Sequence, residues 1–502
     1  MKDIANLARI VTLRRSTRRP LLNLDGPQPG KEERLMQALS DNSDITVMQL
    51  TKQLYGSNTT SNRTALRQLR VRVQDKLLNH LFFLDHSDTR LVVSRRYELE
   101  CLDLLHKVTI LFLEGEYTLC ERLLRRCLRL AEQGDFTAYA ELATQRLRVL
   151  YADRSEQLRY KELNEQLQRL RQVLAWEHEA EQQLLDTRLQ VLHSVAKRRS
   201  VLPQIPDKLA RLQELHRLAG TFNTFIAYYR LSLTYAELTG QYRDIIRITE
   251  QARQLLEQGK LNERRFDTRL NHFMSVYAHL HGRQPSEGLQ LAEQFAADIH
   301  PTSSNWFFFY EHFVLLALHA GNYEKALRLL QTAHKNPSYP KQRPAALARW
   351  ELLEAYTELV QPPDRIPAHR RNQLAVFAAL AVPEYTRDKR GYNVAILVFQ
   401  FLHYLRQRLL EAVLTRLERL RKYQQRHLRD NTSLRSRTFL RLLLLLPEAN
   451  FDPQELEKRG AKLLAQLRQA PTVGEAEAEI EIIPYEDLWS FTLSTLRLGT
   501  PE

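Results

Sequence analysis

Apolar residues recur at helical spacing along nearly the whole chain, and this spacing constrains the fold more than any other feature. From Cys120 onward they stand at positions i, i+3, i+4, i+7 and i+8, with Arg and Glu between them, which is the pattern of an amphipathic helix. The alternating pattern of a strand is confined to two short stretches, 91–93 and 480–483. The sequence therefore predicts an all-α protein.

The composition and the motifs argue against an enzyme. Only 15 of the 502 residues are glycine, whereas dinucleotide-binding and P-loop domains need glycine at turns and phosphate loops. The motifs G-x-S-x-G, H-E-x-x-H, C-x-x-C, G-x-G-x-x-G and G-x-x-x-x-G-K-[ST] do not occur. His279 and His281 point to different helical faces, although a metal needs convergent ligands. We therefore predict no catalytic residue, no metal site and no cofactor.

The chain shows no membrane or secretion signal. No stretch approaches the roughly 18 apolar residues of a membrane span. The N-terminus is basic but lacks the apolar region of a secretory signal. Cys101, Cys120 and Cys127 are read as buried apolar residues, which fits a reducing compartment. These features predict a cytoplasmic protein without a membrane partner, with a mitochondrial presequence as the alternative.

Short polar turns separate pairs of apolar helices at four places. A glycine can end the first helix in the left-handed conformation at each of them. The four turns are at Gly115, Gly240, Gly282 and Gly321. In three of them an aromatic residue follows two positions later: Tyr117, Tyr242 and Tyr323. This arrangement predicts a series of helical hairpins.

The best of these units resembles the tetratricopeptide repeat. Bulky, small, turn and aromatic residues fall in the family's order at Tyr310, Phe313, Ala317, Gly321, Tyr323, Ala326, Leu330 and Ala333. The chain departs from the family's 34-residue period, because the turns at Gly240 and Gly282 are 42 positions apart. The resemblance implies a tetratricopeptide-like α-solenoid over about 95–445, whose concave groove binds a protein or peptide partner.

Residues 31–90 have a different pattern, typical of a small helical segment. We expect a first helix over KEERLMQALS, a second capped by Asp44, and a third capped by Ser61 or Asn62. The apolar stripe of the third helix comprises Leu66, Leu69, Val73, Leu77 and Leu81. The basic residues off that stripe are Arg63, Arg67, Arg70 and Lys76. Three helices with a basic third one have helix-turn-helix geometry, in which the third helix enters a major groove.

The run LTKQLYGSNTTSNRTALRQLRVRVQDKL also resembles the winged-helix segment of antibiotic-regulatory-type bacterial transcriptional activators. That resemblance implies DNA contact by the third helix and a tetratricopeptide-like domain after it. The chain departs from the family at the wing, where HSDTRLVVS lacks a Gly-Tyr closing signature. The alternative is a helical cap on the solenoid with a solvated arginine face.

Two further basic regions are candidate binding surfaces. The N-terminal arm, residues 1–30, carries Arg14, Arg15, Arg18 and Arg19, which either neutralise phosphates or only increase solubility. A C-terminal partner surface is predicted from Arg387, Lys389, Arg390, Arg416, Arg419, Lys422, Tyr423, Arg426 and Arg429. The alternative for this surface is a solvated helix face.

The last segment, 446–502, is predicted to hold a helix and an acidic tail. Its carboxylates, including Glu481 and Glu486, either fold back onto the basic region or remain solvated. The sequence as a whole, with a net charge of +14, indicates a non-enzymatic scaffold that binds a protein or peptide partner. The alternative is a nucleic-acid-binding transcriptional regulator with the solenoid as its sensor. The identity of the partner and the oligomeric state are not predicted.

Overall fold

The computed structural model describes residues 30–41, 45–80, 93–193, 198, 200–361, 390–428, 434–470 and 481–498. Every regular element in these residues is helical, so the all-α prediction is confirmed. The strand predicted near the C-terminus is wrong in its described part, because Ile482 and Ile483 lie buried in an irregular segment. Val93, the described end of the other stretch, begins a helix.

The described residues form 20 α-helices. The first ten are α1 (Lys31–Asp41), α2 (Val47–Tyr55), α3 (Thr60–His80), α4 (Val93–Leu113), α5 (Tyr117–Gln133), α6 (Thr137–Asp153), α7 (Gln157–His193), α8 (Ile205–Ala219), α9 (Phe222–Leu238) and α10 (Tyr242–Glu257). The second ten are α11 (Thr268–His281), α12 (Pro285–Phe295), α13 (Ser304–His319), α14 (Tyr323–His334), α15 (Pro344–Leu359), α16 (Arg390–Arg406), α17 (Leu410–His427), α18 (Leu434–Glu448), α19 (Pro453–Gln469) and α20 (Tyr485–Arg497). None of them has the length and hydropathy that a bilayer crossing requires.

Several of the turns between these helices share one hydrogen-bond pattern. At Gly321, for example, φ is 69°, and the next N–H, of Asn322, donates to the Ala317 carbonyl at 2.8 Å. This is the Schellman arrangement, which uses a left-handed residue to satisfy the last carbonyls of a helix. Gly115 and Gly240 take the same conformation, as predicted.

The prediction for Gly282 is wrong. Its φ is −78°, and Arg283 takes the left-handed conformation at φ 59°. A Cβ on Gly282 would lie 2.7 Å from the Ala278 carbonyl oxygen, so a side chain there would require the backbone to shift. Other turns with a non-glycine left-handed residue, for which the sequence has no glycine signal, are at Asp135, Ser155, Arg408 and Asn450.

The chain divides into two compact units, residues up to 170 and from 171 onward. In the first unit, α1–α3 share a small core that includes Leu35, Leu50 and Leu66. A separate core of α4–α6 contains all three cysteines, which are free and buried. The predicted domain limits at 95 and 445 stay predictions.

The helix starts in α2 and α3 differ from the predicted ones. Thr46 caps α2 in a reciprocal capping box with Gln49, and Asp44 lies outside the described residues. At α3 the Thr59 hydroxyl accepts from the Asn62 N–H at 3.2 Å. An N-cap side chain reaches the second or third helical N–H. Because α2 begins at Val47 and α3 begins at Thr60, their N-cap residues are Thr46 and Thr59.

The second unit holds the larger core. Its largest cluster runs from α11 to α20 and includes Trp306, Trp350 and Trp489. Two smaller clusters join α7 to α9 and α9 to α11.

The C-terminal segment folds back, but onto α18 and not onto the helix Leu410–His427. The Arg435 guanidinium, in a side chain that is 12% exposed, donates to the carboxylates of Glu481 and Glu486 at 2.7 and 2.8 Å. It also donates to the Leu467 carbonyl at 2.6 Å. Trp489, which lies on α20, is also buried. Residues 481–498 are therefore part of the core and not a solvated tail.

Candidate functional site

A groove of about 390 Å³ lies between α8 and α10 in the second unit. Its floor is α9, which contributes Phe225, Tyr228, Tyr229, Ser232 and Tyr235. Both α8 and α10 pack against α9 but have little contact with each other. Elsewhere in the second unit, helices that are separated by one other helix along the chain do pack together, as α11 does with α13. The groove is therefore the space left where two alternate helices fail to close over the helix between them.

The aromatic rings in the floor of the groove are held in place by ring packing and by a buried hydrogen bond. Phe225 stacks on Tyr229 with 5.7 Å between ring centroids, and Phe266 packs against both rings edge-on. The buried Tyr229 hydroxyl donates to the Asn271 side-chain oxygen at 2.8 Å, and burial raises the pKa of Tyr229. The floor is thus a preformed apolar surface.

Five uncharged polar side chains in the lining make no side-chain hydrogen bond to another described residue. They are Gln213 on α8, Tyr228 and Tyr235 on α9, Gln241 just before α10, and Gln251 on α10. By contrast, the Ser232 hydroxyl donates to the Tyr228 carbonyl at 2.8 Å. The groove therefore offers three amides and two hydroxyls to a ligand.

The lining carries no net charge at neutral pH. Its two charged side chains, Asp244 and Arg247, form an ion pair at 3.1 Å. His216 bonds through Nδ1 with the Thr224 hydroxyl at 3.1 Å, and burial lowers the pKa of His216. The groove is therefore suited to an uncharged ligand surface.

The predicted nucleic-acid-binding residues divide into two groups on α3. Arg63, Arg67 and Arg70 are exposed and make no ion pair with another described residue. Their spacing of four and three places them in one line along the helix. Lys76 is mostly buried and forms an ion pair with Glu32 of α1, so it holds α1 and α3 together. Arg14, Arg15, Arg18 and Arg19 lie outside the described residues.

The predicted C-terminal surface is brought together only in part. Arg419, Lys422 and Arg426 are exposed on α17, whereas Arg416 lies partly buried over the Tyr404 ring at 5.2 Å. Tyr423 is 5% exposed and belongs to the core, because it continues the buried series of Val413, Leu417 and Leu420. Arg390 begins α16, and Arg387, Lys389 and Arg429 lie outside the described residues.

The groove residues were not among the predicted sites. The sequence does hold a signal for them, the aromatic run FIAYYRLSLTY from Phe225 to Tyr235. Aromatic residues at helical spacing usually indicate core, and Tyr229 is indeed buried. Tyr228 and Tyr235 line an open groove only because α8 and α10 stand apart.

In comparisons with protein-family models, curated proteins and solved structures, the chain has no significant match. The resemblances to tetratricopeptide repeats and to winged-helix activators therefore rest on the residues of the sequence alone.

Proposed function

We propose that the protein is a non-enzymatic helical-repeat protein of the cytoplasm that binds a peptide segment of a partner in the groove over α9. One observation carries this proposal: a preformed aromatic surface is combined with five side chains that have unused hydrogen-bonding groups. Ligand sites typically combine an apolar concave surface with a few convergent polar groups, at volumes of about 300–1,000 Å³. The groove meets both conditions.

The recurrence of the left-handed turns supports a repeat architecture. Left-handed turns that are separated by two helices recur at similar intervals. The interval is 40 positions from Gly115 to Ser155, 43 positions from Gly240 to Arg283, and 42 positions from Arg408 to Asn450. Each interval contains two antiparallel helices, and several helices two apart pack together. We infer a tetratricopeptide-like α-solenoid with a unit of about 40 residues instead of 34. Stacking of such units produces grooves along one face.

The test uses a library of random dodecapeptides displayed on phage and the full chain as target. We expect peptides to be selected that bind the wild-type protein and bind the double variant Tyr228→Ala, Tyr235→Ala at least ten-fold more weakly, since both rings line the groove. Fluorescence anisotropy of labelled peptides measures the affinity. The matched control is Tyr160→Ala, a partly exposed tyrosine in the first unit. Equal binding by all three proteins contradicts the groove assignment.

A second candidate function is favoured by the arginine line on α3. In this proposal α2, the turn at Gly56 and α3 form a helix-turn-helix that contacts nucleic acid, and the solenoid senses the partner. The supporting observation is that Arg63, Arg67 and Arg70 are exposed and unpaired among the described residues, while Leu66, Leu69 and Val73 anchor the helix. Arginine binds phosphate and guanine through its bidentate guanidinium.

For this second function we expect salt-sensitive binding to a 20-base-pair DNA duplex. Each phosphate contact adds about 0.9 to the slope of log K against log salt concentration. The triple variant Arg63→Ala, Arg67→Ala, Arg70→Ala should therefore bind more weakly and lower that slope by up to about three. The control is a triple alanine variant of Arg419, Lys422 and Arg426, which removes equal charge from α17. If both triple variants lose affinity equally, the assignment to α3 is wrong.

A further inference from the structure

We infer that the groove over α9 takes its peptide in an extended, polyproline II-type conformation and holds it by hydrogen bonds to the peptide backbone. This inference rests on the proposed peptide-binding function and specifies its ligand. The alternative ligand of a helical groove is an amphipathic helix, and the two ligands make different demands on the lining.

The unused polar groups distinguish the two ligands. A helix satisfies its own N–H and C=O groups internally and offers only side chains to a groove. Its apolar face would cover Gln213, Gln251 and the tyrosine hydroxyls without supplying partners, and a buried polar group without a partner is unfavourable. A polyproline II segment has no internal hydrogen bonds. Its backbone can therefore pair with these groups, and a glutamine amide both donates and accepts.

The positions of the polar groups fit such a segment. Gln213 and Gln251 lie on opposite walls, and Tyr228 and Tyr235 lie along the floor between them. The two tyrosines are seven positions apart, or about 10.5 Å along the helix axis. A polyproline II chain rises 3.1 Å per residue, so three to four residues span that distance. Aromatic rings at this spacing can contact successive turns of the chain.

The charge of the groove selects the composition of the peptide. Asp244 and Arg247 form an ion pair at 3.1 Å and so neutralise each other. His216 also lines the groove, and burial lowers its pKa. A neutral lining complements an uncharged segment of proline and aliphatic residues. It does not complement an acidic motif or a nucleic acid, despite the net charge of +14.

The experiment uses the peptides selected from the dodecapeptide library on the full chain. We expect them to be rich in proline and to keep their affinity when proline replaces a central residue whose backbone nitrogen tolerates methylation. Methylation of a single backbone nitrogen should lower the affinity at least ten-fold at one or more positions, because it removes a donor. The variant Gln213→Leu, Gln251→Leu keeps the side-chain size and should also bind at least ten-fold more weakly.

Selection of helix-forming peptides would overturn the inference if a central proline abolishes their binding and the leucine variant binds them equally or more tightly. That result leaves peptide binding in the groove intact. Failure to select any peptide that depends on Tyr228 and Tyr235 overturns the proposed function itself. If the leucine variant does not fold, as judged by its urea midpoint, central-proline replacements tested on the wild-type protein decide between the two ligands, because a helical peptide does not tolerate them.

Discussion

Replacement of Arg435 by alanine is expected to lower the free energy of unfolding of the second unit by about 3–5 kcal/mol. The guanidinium is nearly buried and binds Glu481 and Glu486. Burial alone would raise the pKa of Glu486, but the hydrogen bonds and charge of Arg435 outweigh it and hold that pKa below its ordinary value. Without Arg435, the mostly buried Glu481 loses its ion-pair partner, and Glu486 keeps only the 4.0 Å contact with Arg283.

The intrinsic fluorescence of tryptophan measures this effect selectively. The four tryptophans of the chain, Trp176, Trp306, Trp350 and Trp489, all lie beyond residue 170, so urea unfolding followed by their emission reports on the second unit. The control is Arg459→Ala, which removes a surface ion pair with Glu455 at 2.7 Å and should cost less than about 1 kcal/mol.

A combined variant separates the lost charge from the lost packing. Arg435→Met together with Glu481→Gln and Glu486→Gln removes the whole charged cluster, and we expect it to recover part of the lost stability. Equal urea midpoints for Arg435→Ala and Arg459→Ala would show that the cluster does not anchor the C-terminal segment.

Mild acid is expected to destabilise the same unit through its histidines. Burial, with His312 and His319 nearby, lowers the pKa of His281 to about 3, whereas a histidine in the unfolded chain titrates near 6.5. The unfolded chain therefore takes up the proton first as the pH falls. The contribution of His281 is fully present above pH 6.5 and is lost between pH 6.5 and about 3. From pH 7 to pH 5 this loss is about 2 kcal/mol.

Other histidines of the unit add to the effect in the same direction. Burial is the main cause that lowers the pKa of each of them: His216, His272, His312, His319 and His403. Urea unfolding at pH 7, 6 and 5 should show a steady decline. In His281→Phe the decline from pH 7 to pH 5 should be smaller by about 2 kcal/mol. The exposed His300 supplies the control His300→Gln, and identical pH profiles for both variants would contradict the role of His281.

Much of the fold was predictable because its signals are local. The helical spacing of apolar residues around Cys120 gave the helix Tyr117–Gln133, and glycine identified the turns at Gly115, Gly240 and Gly321. The turn at Gly282 was misplaced by one position, because Arg283 and not the glycine takes the left-handed conformation there.

The candidate sites were less predictable than the helices, because a charge pattern does not state which residues pair. Lys76 and Arg63 look alike in the sequence, yet Lys76 pairs with Glu32 and Arg63 is exposed. Tyr423 was expected at a surface but lies in the core. The groove was missed, since its existence depends on the separation of α8 and α10.

The sequence by itself determined that the chain is helical and where the turns at Gly115, Gly240 and Gly321 lie, because backbone hydrogen bonds and the left-handed conformation of glycine act within a few residues. Only the tertiary structure decided which faces remain open. A helix with an apolar face must be covered, but the pattern does not specify by which helix or how completely. The exposure of Tyr228 and Tyr235 and the burial of Arg435 are consequences of that packing.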